Sequence, residues 1–74
     1  MNVIPQTYSA WRHCIEVECG IPLTPEYIAS RLNVLREPAA DETRRFVQRY
    51  GRVHWQRVVA WFETAAEQAA ARES

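Results

Sequence analysis

The stretch RHCIEVECG, residues 12–20, gathers a histidine, two cysteines and two glutamates. Metal and redox sites are built from these residue types, so their spacing decides whether they can act together. On a regular helix, which turns about 100° per residue, Cys14 and Cys19 point roughly 140° apart, too far to share one disulfide or one metal ion. His13 diverges from its neighbour Cys14 in the same way. Cys14 and Glu18 share a face, but a zinc site needs further ligands, and the chain offers no CxxC and only a distant His54. No metal and no cofactor is expected. On this reading Cys19 extends a core stripe as a small hydrophobe, and Cys14 flanks it beside Ala10 and Val17. Arg12 and Glu16 make a solvated i, i+4 pair. Cys14, off the stripe, is the thiol that an exposed setting would make reactive between molecules.

Nucleophilic catalysis has the same raw materials and even less arrangement. No local motif sets a base beside a cysteine with an orienting third group and an oxyanion hole. A helical chain of 74 residues also leaves little concave volume for a substrate. The expectation is a protein with no catalytic residues and no small-molecule substrate.

Arginine offers a third chemistry. The chain has nine arginines, nine acids and no lysine, and its formal net charge is zero. Seven of the arginines fall in residues 31–57 against Glu37, Asp41 and Glu42. Arg44, Arg45, Arg49 and Arg52 fall together on one predicted helix, and TPEYIASRLNV before it can be drawn as the first half of a helix-turn-helix. The intervening VLREPAADE is longer than that motif's turn and holds a proline. A neutral chain also lacks the field that draws a domain to phosphate. Nucleic-acid binding through these four arginines is therefore the alternative reading.

The elements that must position these groups are helices. Thr7 caps helix 1, which carries Tyr8, Trp11, Ile15 and Cys19 at helical spacing until Gly20 and Pro22 stop it. Thr24, Pro25 and Glu26 start helix 2, with Leu23 placed to staple onto Ile28. Its core face is Ile28, Leu32 and Leu35, and Pro38 bounds it. Asp41 is read as the cap of helix 3, where Thr43, Phe46, Val47 and Tyr50 share one side and Arg45, Arg49 and Arg52 line the other. Gly51 ends that helix or kinks it into the next, since a glycine costs a helix interior only about 1 kcal/mol. Helix 4 has a broad apolar face that includes Trp55, Val58, Val59, Phe62, Ala65, Ala66 and Ala69.

The fold class predicted is all-α: one domain, residues 1–74, a small bundle of four helices over about 7–19, 25–36, 41–51 and 53–70. The last helix is the longest, and the ends, about 1–5 and 71–74, are expected to be flexible. The core is assigned to Trp11, Ile15, Ile28, Leu32, Leu35, Phe46, Tyr50, Trp55, Val58, Val59 and Phe62. No apolar run reaches the length of a membrane span and no signal-peptide pattern opens the chain, so a cytoplasmic protein is expected with its cysteines reduced.

With catalysis disfavoured, surface for another protein is what remains. Tyr27, Arg31 and Val34 on helix 2 are read as facing away from its core stripe. On helix 4, His54, Arg57 and Trp61 form a second patch, of the aromatic and arginine composition that interface hot spots favour. The competing reading packs Trp61 under helix 1 or the arm Val3, Ile4 and Pro5. The function expected is a protein-interaction or adaptor module, binding a protein partner or a second copy of itself as a homodimer.

Overall fold

The computed structural model describes residues 4–73, and within them every regular element is helical. Helix α1 spans Tyr8–His13 and runs on into a π turn over Cys14–Glu18. The other three are α2, Pro25–Leu35, α3, Asp41–Tyr50, and α4, Arg52–Glu73. Val3 and the outermost parts of the ends assigned to flexibility, residues 1–3 and 74, lie outside the described residues.

Local chemistry accounts for most boundaries. The Thr7 hydroxyl accepts from the Ala10 N–H at 3.1 Å, and the Thr24 hydroxyl accepts from Tyr27 N–H at 3.2 Å with Pro25 at the first helical position. Asp41 does not cap α3. Ala40 takes the N-cap place with no side-chain hydrogen bond, and Asp41 and Glu42 instead put negative charge in the first turn, where the helix dipole favours it. Gly51 separates α3 from α4 with φ 90° and ψ 160°, so the two are distinct helices and Arg52 belongs to the second. Helix α4 also starts earlier and runs further than the pattern predicted.

The π turn is the departure with most consequence. Cys19 N–H donates to the Cys14 carbonyl at 2.9 Å, a bond spanning five residues rather than four. Ile21 N–H then closes the end on the Ile15 carbonyl at 2.9 Å, around Gly20 at φ 68°. Five residues make the turn that four would make on an α-helix, so Cys14 and Cys19 come to the same side. The 140° divergence expected of them is therefore overturned.

The core is Trp11, Ile28, Leu32, Leu35, Val58, Phe62 and Ala65. Ile15, Leu23, Phe46, Trp55 and Val59 pack against it half-buried. Thr43 is 1% exposed and its hydroxyl donates to the Val34 carbonyl at 2.6 Å, which binds α3 to α2. Two core assignments fail: Tyr50 is 39% exposed at the last residue of α3, and Cys19 is exposed at the helix end. Val17, 65% exposed, has turned out to solvent as well.

Helices α2 and α3 lie closely on α4, whereas α1 and its π turn stand further off and reach α4 through side chains. Tyr8 Oη donates to Gln68 Oε1 at 2.8 Å, Arg12 Nη1 reaches the same oxygen at 2.9 Å, and Trp11 meets Phe62 edge-on at 4.8 Å between ring centroids. The radius of gyration, 12.4 Å, exceeds the about 11 Å of a compact chain of this length. Part of the space so enclosed is a groove.

Candidate functional site

The groove lies between α1 with its π turn on one side and α3 on the other, and its volume is about 850 Å³. Tyr27 and Leu35 of α2 and Val58 and Phe62 of α4 form its floor. Trp11, Cys14, Ile15, Glu18 and Cys19 line one wall, and Phe46, Arg49, Tyr50 and His54 line the other. Ile4 and Pro5 border it, and Ile4 is an exposed apolar side chain.

Aromatic contacts run continuously through the site. Tyr8, Trp11 and Trp61 are linked at 5.7 and 5.9 Å, and Trp61 meets His54 edge-on at 6.0 Å. His54 stacks on Phe46 at 5.9 Å with the rings 8° from parallel, and Phe46 lies 4.8 Å from Tyr50. Phe62 joins Tyr27 to this chain at 6.3 Å. Spaced and tilted like this, the rings gain more than their buried area alone provides. They also hold α3 and α1 to α4 across the groove.

Of the residues singled out in the sequence, Tyr27, Arg31 and His54 share this groove. They do so as one site and not as two patches. Tyr27 packs on the core rather than facing away from it. Arg31 is half-buried in an ion pair with Glu42. Val34 is half-buried and lies outside the groove lining. Trp61 packs on Trp11 of α1, as the competing reading has it, and Arg57 Nη1 donates to Gln6 Oε1 at 2.8 Å on the N-terminal arm. The groove also takes in Phe46 and Tyr50, which the helical period assigns to the core, and Cys14 and Cys19, which it assigns to separate faces.

Charge divides the two walls. Arg44, Arg45, Arg49 and Arg52 are exposed and have no acidic partner among the described residues, and the Arg49 guanidinium sits 5.6 Å from the Tyr50 ring centre. Glu18 stands on the opposite wall, unpaired with any arginine among the described residues. Burial, and then the charge of Arg57, lowers the His54 pKa from its ordinary value of 6.5, so the ring is neutral at pH 7. Burial first, and then the neighbouring Cys19 and Glu18, raise the Cys14 pKa.

Among the described residues no three His, Cys, Asp or Glu side chains converge to hold a metal ion, and no helix is long and apolar enough to cross a membrane. Compared with protein-family models, with curated proteins and with solved structures, the chain has no match.

Proposed function

We propose that the protein is a non-catalytic interaction module whose docking site is the groove between α1 and α3. Its occupant is an amphipathic helical segment of a partner protein with acidic residues along one edge. One observation carries this reading: a trough floored by Tyr27, Leu35, Val58 and Phe62 runs beside an α3 face whose arginines lack acidic partners among the described residues. The apolar stripe of such a segment fits the floor, and its acidic edge fits Arg49. Glu18 on the far wall sets the orientation by repelling that edge.

The test is NMR of the labelled chain against a synthetic helix with a leucine stripe and flanking glutamates, and against the same helix with lysines instead. The glutamate peptide should move Trp11, Tyr27, Phe46 and Tyr50, and Arg49→Glu should weaken it roughly tenfold or more, the scale of an interfacial charge reversal. Groove signals that stay fixed with both peptides would sink the reading. If the same signals shift with protein concentration alone, a second copy replaces the separate partner.

Nucleic acid is favoured by one specific observation, the exposure of Arg44, Arg45, Arg49 and Arg52 without acidic partners among the described residues. A DNA or RNA duplex would then move α3 signals and leave the groove floor unchanged, with an affinity that falls steeply with salt.

A further inference from the structure

We infer that Cys14 and Cys19 form a thiol–disulfide exchange site, a dithiol in the groove wall that closes to an intramolecular disulfide by exchange with a small-molecule disulfide. The π turn makes this possible. On an α-helix, residues five apart have Cα atoms about 8.7 Å from each other, beyond the roughly 4.4–6.8 Å that a disulfide spans. In the π turn the five-residue pair is the hydrogen-bonded one and takes the place that i, i+4 holds on an α-helix, about 6 Å between Cα atoms. Both side chains line the same groove, and Cys19 is near enough to Cys14 to disfavour its thiolate.

The rest of the closure is local. Side chains related as i, i+4 hold their Cβ atoms about 5–6 Å apart, so the pair must approach by about 1–2 Å to reach disulfide geometry. Cys19 can make that shift, because it is the exposed C-cap residue, at φ −91° and ψ −16°, and Gly20 follows it at φ 68°. No core side chain has to move with it.

The order of attack follows from exposure. The exposed Cys19 thiolate attacks one sulfur of a disulfide such as oxidised glutathione, forming a mixed disulfide and releasing one small thiolate. Half-buried Cys14, as thiolate, then attacks the Cys19 sulfur and releases the second. Two protein thiols are oxidised to one disulfide and one small disulfide is reduced to two thiols. The two protons leave the cysteines for the departing thiolates.

The experiment oxidises the whole chain with oxidised glutathione and reads it by mass spectrometry after blocking free thiols. The expected product is a monomer lighter by two hydrogens in which neither cysteine is blocked. Cys14→Ser should trap the Cys19 mixed disulfide, with a lifetime roughly tenfold or more that in the unsubstituted chain, because the internal resolving thiol is gone. A persistent mixed disulfide on the unsubstituted chain, or a disulfide-linked dimer in place of the closed monomer, would overturn the inference. Far-UV circular dichroism of reduced Cys14→Ser confirms that the variant folds before its trapping is interpreted. No partner is needed for this readout, so its failure leaves the docking reading untouched, and the reverse holds too.

Discussion

The indole N–H of Trp55 donates to the carbonyl of Leu35 at 2.9 Å, so a side chain on α4 closes the C-terminal end of α2. The last carbonyls of a helix have no partner within it, and Leu35, the last residue of α2, is itself 2% exposed. Replacing Trp55 by Phe keeps most of the ring and strands this part-buried carbonyl. The expected loss is about 1–3 kcal/mol, the cost of an unsatisfied buried acceptor. Thermal unfolding would show it plainly, since each kcal/mol moves the midpoint of a domain this small by about 4–8 °C. An unchanged midpoint would mean that water satisfies the carbonyl.

Thr43 makes the corresponding joint between α3 and α2. Its hydroxyl is held at 2.6 Å from the Val34 carbonyl, and the side chain is 1% exposed. Thr43→Val keeps the shape and removes the donor, while the Glu37 N–H still holds the Val34 carbonyl at 3.1 Å, so a loss of about 0.5–1.5 kcal/mol in urea unfolding is expected. Thr43→Ser keeps the donor and gives up a methyl group. It should cost about 1 kcal/mol through that methyl alone. If valine proves the milder change, packing and not the hydrogen bond holds the joint.

His54 gives stability a pH dependence whose sign is fixed. Its pKa in the folded chain is lowered, by burial and then by Arg57, so between that value and the ordinary 6.5 the unfolded chain binds more protons. Stability therefore falls as pH drops from above 6.5 to the folded value, and below that value the loss stays constant because both states carry the proton. His54→Phe preserves the stack on Phe46 and should flatten that slope in denaturant midpoints taken from pH 7.5 to 5. A slope unchanged in the variant would show that His54 does not carry it.

Much of this architecture could be read from the chain because its cues are local. Thr7, Thr24 and Pro25 start helices by hydrogen bonds within one turn, and Gly20 and Gly51 end them by backbone freedom. The stripes Ile28, Leu32, Leu35 and Val58, Phe62, Ala65 follow from periodicity alone. The site could not be read so far. A π turn over CIEVE uses residues that an α-helix accepts equally well, so nothing in their order foretells that Cys14 and Cys19 come together. The period of helix 4 leaves Trp61 open between a surface patch and a seat under helix 1, because Trp11, fifty positions away in the chain, decides where it packs. Tyr50 has the right period for the core, but α3 stops at that residue and leaves its ring at the edge of the groove.

The two glycines should respond differently to the same substitution, and the difference bears on the groove. A Cβ added at either one meets nothing within 4 Å, so only the backbone decides the cost. Gly20, at φ 68°, is in the left-handed region that asparagine tolerates, and Gly20→Asn should cost well under about 1 kcal/mol. Gly51, at φ 90° and ψ 160°, is in a region open essentially to glycine alone, and Gly51→Asn should cost about 1–3 kcal/mol. The chain has a way to relieve that strain, which is to run α3 straight into α4 as one helix. Doing so would carry Phe46 and Tyr50 off His54 and remove the wall that bears Arg49. Gly51→Asn should thus return the His54 pKa toward 6.5 in an NMR titration as the ring regains water, whereas Gly20→Asn leaves it lowered. Equal costs and an unmoved His54 in both variants would show that α3 keeps its place without the glycine.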